Sequence, residues 1–384
     1  MTADAPTRVP VSSRLRGMQK TLIRRMHDLA DSSSIDLGLG ELRFPTPAPI
    51  LEHVRENLVN WKLGYTPNEG YPELRELLAA KSGRDVTADR IFVTVGAQEA
   101  LLAVLMAVVE TGDEVLVPDP GYPAYPSLVR LAGGGPKPYP LLPEDGFKAG
   151  ANRILGLVGE KTKAVILNSP NNPTGAVYAR EELEKLALGL RRTSTLAISD
   201  EVYGEIAFGE RPESISSYTD RCAEINSFSK TYCMTGWRIG WCVVPAELTR
   251  PLAAFQQLSV TCAPAISQRA AIFALNGFAD EDVKRNLGEL ARRRAVALKC
   301  LEDNTDLGCV APGGAFYLFV DVSDKRSRFG SSLDIALALL KKEKVVTIPG
   351  IAFGAGGEGY LRLSFAAEPG DIVEGIRRLG RFLS

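Results

Sequence analysis

Residues Asn226 to Gly240 read Asn-Ser-Phe-Ser-Lys-Thr-Tyr-Cys-Met-Thr-Gly-Trp-Arg-Ile-Gly. Lys230 follows an apolar run and stands among small hydroxyl residues, with Arg238 eight positions on. A lysine withdrawn from water holds its proton less tightly, and the neutral amine is then both nucleophile and base. The hydroxyls of Ser227 and Ser229, with the guanidinium of Arg238, suit a phosphate group. An activated amine beside a phosphate grip fits pyridoxal phosphate held as a Schiff base. The bland alternative is a surface lysine after a strand, and these neighbours argue against it.

Three other stretches carry chemistry. Val93-Thr-Val-Gly-Ala-Gln-Glu-Ala ends a strand and opens a helix. The N–H groups of Ala97 and Gln98, past Gly96, then form a cradle for an anion at the positive end of the helix dipole. A glycine at such a turn also has purely backbone reasons to exist, so the signal gains force only beside Ser227 and Arg238. Asn168-Ser-Pro-Asn-Asn-Pro-Thr-Gly-Ala is sharper: two prolines and a glycine fix a tight loop that aims Asn172 back towards the strand ends. Ile198-Ser-Asp-Glu-Val-Tyr puts Asp200 at a strand end with Tyr203 three residues on. A carboxylate there can pair with a protonated pyridine nitrogen, an attraction of about 4 kcal/mol at ~4 Å and an effective dielectric of about 20, before desolvation is counted. Alone, an aspartate in that position is more often a helix cap.

Composition narrows the field. At 384 residues the chain suits one large α/β unit with a smaller companion. A net charge of −1 without a basic block weighs against nucleic acid or an anionic membrane as partner. Arg8, Arg14 and Arg16 are not followed by an apolar h-region, and no apolar run reaches spanning length, so neither a secretory signal nor a membrane segment is expected. The six cysteines form no CxxC pair, which favours reduced thiols in a cytoplasm over zinc or disulfides, and no metal is expected. His27 and His53 lie in polar, helical stretches, so imidazole chemistry is not central.

The elements that must position these residues follow an alternating rhythm. Ile91–Val95, Glu114–Val117, Ala164–Asn168, Thr195–Asp200, Glu224–Phe228 and Ile239–Val244 read as buried strands, with helices such as Ala97–Val109 and Arg180–Leu190 between them. That pattern predicts an α/β fold: a mostly parallel sheet sandwiched by helices, with ligands beyond the carboxyl ends of the strands. A long charged helix over Asp280–Asn304 leads to strands at Ala315–Val320, Val345–Ile348 and Tyr360–Ser364. These imply a smaller α+β domain of residues 12–45 and 285–384, beside a large cofactor-binding domain over 46–284. The proline-rich run from Phe44 to Pro49 is expected to link them.

The strings Ser-Pro-Asn-Asn-Pro-Thr-Gly, Ser-Asp-Glu-Val-Tyr, Ser-Phe-Ser-Lys, Gly-Trp-Arg-Ile-Gly and Arg-Leu-Ser-Phe-Ala resemble those of class I/II aminotransferases of pyridoxal-phosphate fold type I. The likeness runs from about Leu37 to the C-terminus and is strongest to the bacterial aspartate-aminotransferase-like branch. It implies that Lys230 is the Schiff-base lysine and proton shuttle, and that Asp200 holds the pyridinium. It implies further that Asn172 and Tyr203 bond the phenolic oxygen and that Tyr122 stacks on the ring. Gly96, Ala97, Gln98, Ser227, Ser229 and Arg238 would hold the phosphate. Arg362 would clamp the substrate α-carboxylate beside Gly40 and Asn172. Tyr65 would reach the phosphate of a neighbouring subunit, which implies a homodimer with shared sites.

Departures bear on the substrate. Gly40-Glu-Leu-Arg-Phe replaces the usual Gly-Glu-Pro-Asp-Phe, so the entrance wall is expected to differ at Leu42 and Arg43. Gln98 stands where acid-preferring relatives often carry lysine, and Arg43, the remote candidate for a distal carboxylate, reads more simply as a surface ion-pair partner. A donor range that includes neutral or aromatic amino acids, with aspartate or glutamate also accepted, is therefore expected. A ping-pong aminotransferase is the leading reading. A β-lyase or cyclising lyase with the same cofactor is the alternative. A ligand-sensing regulator would need a DNA-binding domain, and fewer than forty residues precede Leu37.

Overall fold

The computed structural model describes residues 11–384 apart from Ser13 and Gly17; Arg8, weighed above, lies outside the described residues. In chain order the strands are β1 (Ile35–Asp36), β2 (Ile91–Thr94), β3 (Glu114–Asp119), β4 (Gly135–Pro140), β5 (Thr162–Asn168), β6 (Leu196–Asp200), β7 (Cys222–Ser227), β8 (Gly240–Val243), β9 (Tyr317–Asp321), β10 (Val345–Val346), β11 (Ile348–Pro349) and β12 (Tyr360–Ser364). Seven of them form one sheet in the order β2-β8-β7-β6-β5-β3-β4. Only β8 runs against the others, being antiparallel to both β2 and β7.

Side chains alternate across this sheet because successive strand residues point to opposite faces. Val115, Val117, Ile166 and Ile198 join the core beneath the helix Ala97–Val108, while Leu116, Val165, Leu167 and Ala197 join the core that holds Leu183 and Leu186 of the helix Arg180–Leu190. Burial on both faces explains the near-continuous apolar runs of β3, β5 and β6, as a covered parallel sheet requires.

β4 is the strand that sequence reading leaves out. Its residues are Gly-Pro-Lys-Pro-Tyr-Pro, and a proline cannot donate to a ladder. The flanking N–H groups of Gly135 and Leu141 bond to Asp113 and Asp119, so odd-numbered residues face β3. Pro136, Pro138 and Pro140 then turn their missing donors to the open edge of the sheet.

Two further expectations are corrected. The run Phe44–Pro49 is not all linker: Pro47 caps a helix over Ala48–Asn57, with a proline in its first turn where no N–H is needed. The segment Val345–Ile348 splits between two sheets, β10 pairing in parallel with β1 and β11 pairing with β12. The long helix Asp280–Asn304 has the expected bounds. Arg293 ties it to the chain after β12, donating to the carbonyls of Ala366 and Ala367 at 2.9 and 2.7 Å.

Candidate active site

β5, β6 and β7 each deliver a polar residue at the carboxyl end: Asn168, Asp200 and Ser227. These border a cavity of about 590 Å³ that is also lined by Gly40, Ala97, Gln98, Tyr122, Asn172, Tyr203, Ser229, Lys230, Arg238 and Arg362. Gly96 adjoins it. Residues from seven separate stretches of sequence thus meet in one place. Tyr65 does not join them: it is 90% exposed and borders a surface hollow with Leu63, Val260 and Ile266.

Lys230 sits on a single helical turn, Phe228–Thr231, whose N-cap is Ser227. The Ser227 hydroxyl accepts from the Ser229 N–H at 3.0 Å and donates to the carbonyl of Ile239 at 3.0 Å, so the turn is pinned to the strand that follows. The Lys230 amine donates to the carbonyl of Gly40 at 2.6 Å. Burial brings its pKa down to about 8, helped by the positive fields of Arg362 and Arg238 and opposed by Glu41. No surface lysine behaves so; the bland reading of this residue fails.

Asp200 is 4% exposed, and burial pushes its carboxyl up to about 6. The Tyr125 hydroxyl at 2.7 Å, the Val202 N–H at 3.3 Å and the charge of Lys230 pull the other way. A cationic group placed against this carboxyl would restore its ionised form.

At the opposite wall, Arg362 belongs to β12 and is 1% exposed. Its Nη1 donates to Asn172 Oδ1 at 2.9 Å and its Nη2 to the carbonyl of Gly38 at 2.6 Å. The rings of Tyr317 and Phe353 lie 4.2 and 5.0 Å from Cζ. Its Nε is buried without a hydrogen-bond partner, and among the described residues no carboxylate forms an ion pair with it. A buried guanidinium without a counter-ion is costly, so the site is built to receive an anion.

The third wall is the start of the helix Ala97–Val108. Gly96, at φ +83°, precedes it, and the first N–H groups of any helix have no acceptor within it. A Cβ on Gly96 would lie 2.6 Å from Nη2 of Arg238, so glycine lets the guanidinium stand directly over those N–H groups. Arg238 is itself held by the carbonyl of Thr235 at 2.9 Å. Backbone donors and a cation together make a phosphate cradle.

Several residues escaped sequence reading. Tyr125 and Tyr317, both buried, bond Asp200 and Tyr203 respectively, the latter pair at 3.0 Å. Within the motif already read from the sequence, Asn168 accepts from the Asn172 N–H at 2.8 Å and fixes the loop. Thr21, Ile23 and Arg24, from the helix Leu22–Asp28 and its cap, border the same cavity. The expected wall at Leu42 and Arg43 is corrected: Leu42 is in the core, and Arg43 pairs with Asp371 at 3.1 Å and with the Asp36 carbonyl. Gly40 and Glu41 line the cavity instead. His27 meets Asp36 and His53 stacks on Phe273, both away from the pocket.

A doubly covered, mostly parallel sheet with an activated lysine, a carboxyl, an anion cradle and a buried arginine at its strand ends defines a pyridoxal-phosphate fold type I architecture. The chain belongs to the family Aminotransferase class I and II, which it matches over residues 32–379. It is 38% identical to a probable aspartate aminotransferase of Methanocaldococcus jannaschii, over 95% of this chain and 98% of that one. It is 39% identical to a probable aspartate/prephenate aminotransferase of Aquifex aeolicus, over 91% of each. The crystal structure of an aromatic aminotransferase from Pyrococcus horikoshii superposes with a TM-score of 0.88 at 37% identity, covering 94% of this chain and 98% of that chain. The activity is therefore amino-group transfer in amino acid metabolism, and the lyase alternative finds no support. Among the described residues no helix is long and apolar enough to cross a membrane.

Proposed function

We propose that the chain works as a homodimeric, pyridoxal 5'-phosphate-dependent aminotransferase that moves an amino group between an L-amino acid and a 2-oxo acid in a ping-pong cycle. The observation that carries this reading is the Lys230 amine, buried and lowered to about 8, in one cavity with Asp200 and the unpaired guanidinium of Arg362. The residues present fit the cofactor. The N–H groups of Ala97 and Gln98 past Gly96, with Ser227, Ser229 and Arg238, would hold its phosphate. Tyr122 would cover the ring, Asn172 and Tyr203 would serve its phenolic oxygen, and Asp200 its ring nitrogen.

When bound, the cofactor supplies an electron sink for the pair left at the substrate Cα. Lys230 Nζ takes and returns the α-proton; a pKa near 8 keeps both of its forms populated close to neutral pH, as a group acting in both senses needs. Arg362 binds the α-carboxylate, steadied by Asn172, with Gly40 allowing close approach. Tyr65 of each chain would reach the phosphate held by the other. Its 90% exposure, at a hollow it shares with the half-exposed Leu63 and Val260, supports a covered face between two copies.

The same reading divides the chain into a cofactor-binding domain over 46–284 and a small domain of 12–45 with 285–384, supported by the pairing of β1 with β10. All six cysteines are free, which fits a reducing compartment such as the cytoplasm. A donor range spanning neutral or aromatic and acidic amino acids is supported by the neutral Gln98 and by the names of the relatives. Arg24, a further cation lining the cavity, is largely exposed and paired with Asp28 at 3.3 Å, so it is not a fixed anchor.

A half-reaction tests the class. The cofactor-loaded protein, given one amino acid and no 2-oxo acid, is expected to release a single equivalent of 2-oxo acid per site and stop. Continued release of pyruvate and ammonia would instead mark a lyase.

A further inference from the structure

Asp119 ends β3 next to the Gly121–Tyr122 segment, yet its carboxylate does not face the catalytic cavity. It reaches the turn that joins β11 to β12, where the N–H of Gly356 donates to its Oδ1 at 2.8 Å. Beside it, the N–H of Gly121 donates to the carbonyl of Phe353 at 2.8 Å. Two bonds thus tie the segment that carries Tyr122 to the turn 350–357.

The turn is shaped for this contact. A Cβ on Gly354, which has φ +117°, would lie 2.2 Å from Asp119 Oδ1, and one on Gly356 would lie 2.9 Å from the Asp119 carbonyl oxygen. A side chain at 354 would displace the Asp119 carboxylate, and one at 356 would meet backbone and push the turn off. Phe353, at the centre of the turn, is buried with its ring 5.0 Å from Cζ of Arg362. Whatever holds the turn also holds that ring against the guanidinium.

We propose that Asp119 is a positioning residue: it latches the turn 350–357 to the Tyr122 segment, keeps Phe353 against Arg362, and so fixes the aim of the α-carboxylate clamp. The inference rests on the reading of Arg362 as that clamp. Freed from the latch, Phe353 withdraws and the guanidinium gains room to swing. Every donor carries the α-carboxylate, so every donor loses affinity by the same factor. A defect in the part of the pocket that reads the substrate side chain would instead discriminate among donors.

The test uses the cofactor-loaded protein with aspartate, alanine and phenylalanine. Asp119→Ala is expected to raise KM for all three by about tenfold and by a common factor. The affinity of the apoprotein for pyridoxal phosphate, read by fluorescence titration, is expected to stay within about twofold of wild type. Asp119→Asn keeps an oxygen acceptor for the Gly356 N–H and should bring KM back to within about twofold of wild type. Asp119→Leu, close in size, reads the same loss if the alanine variant does not accumulate. An unchanged KM in these variants, a rise confined to one donor, or an asparagine variant as impaired as the alanine one overturns the proposal. Arg362→Lys, run alongside, separates the two levels. If it raises KM for all donors while Asp119→Ala does not, the latch fails and the clamp stands. If Arg362→Lys leaves KM unchanged, the clamp reading falls and takes the latch with it.

Discussion

The hydroxyl of Tyr125 donates to Oδ2 of Asp200 at 2.7 Å, with both side chains buried. Burial pushes the carboxyl up, this hydrogen bond opposes the push, and the balance brings Asp200 to about 6. Asp200 is thus poised to ionise fully once a cation faces it.

Substituting Asp200 separates function from stability. Its folded pKa lies above the unfolded 3.8, so between about 4 and about 6 the folded apoprotein binds more protons than the unfolded chain. Stability contributed by the neutral form is complete below about 4, falls as pH rises to about 6, and stays lost above; the loss is of order 3 kcal/mol. Asp200→Asn removes that slope, so the apo variant should melt at or above wild type at pH 7 while transamination slows severely. Melting curves from pH 4 to 8 and rates at pH 7.5 check this. Normal kinetics in the asparagine variant would reduce Asp200 to a structural cap.

Lys230 gives a second pH signature. The neutral amine is the nucleophile, so uptake of pyridoxal phosphate by the apoprotein should accelerate with rising pH and level off above about 8. Stopped-flow absorbance from pH 6.5 to 10.5 reads it. A rate still climbing towards 10.5 would mean an amine with ordinary solvent exposure.

What sequence showed and what it hid divide along physical lines. Lys230, Asp200 and the Asn168–Gly175 loop were legible because chemistry-bearing residues stood at the ends of apolar runs, and a covered parallel sheet gathers such ends together. Arg362 was legible from its motif alone; its lack of a counter-ion is a tertiary fact. Tyr125 had a signal, since it lies three residues past Tyr122 where a helix begins and so shares its face. Tyr317 and Arg24 had none, because what they touch depends on how β9 and the first helix dock. β4 was hidden by its own prolines, which only an edge strand tolerates.

A mixing experiment addresses the shared site. Tyr65→Phe should loosen cofactor binding by about 1–2 kcal/mol, one charge-assisted hydrogen bond. Tyr65→Phe and Lys230→Ala chains, refolded together and assayed at cofactor concentrations too low to fill Tyr65→Phe sites, should exceed the activity of either parent, because the mixed dimer has one site free of both lesions. Full activity in a monomer, or no complementation on mixing, would contradict a site built from two chains.

The donor range follows from the uncharged Gln98, whose Oε1 lies 3.4 Å from the Tyr122 hydroxyl, and from the exposure of Arg24. With 2-oxoglutarate as acceptor, kcat/KM for alanine and phenylalanine should fall within about a thousandfold of that for aspartate and glutamate. A larger preference for the acids, more than about 4 kcal/mol, would require a fixed cation at the distal end of the substrate.

The central claim is that Lys230 is the amine that carries the cofactor. Borohydride reduction of the loaded protein, followed by digestion and mass spectrometry, reads the attachment point directly. The pyridoxyl phosphate label is expected on Lys230 alone and absent from Lys230→Ala, which should still bind the cofactor but keep less than a few per cent of turnover, roughly 2 kcal/mol or more in barrier. A label on any other lysine, or a Lys230→Ala variant that retains wild-type turnover, would contradict the account.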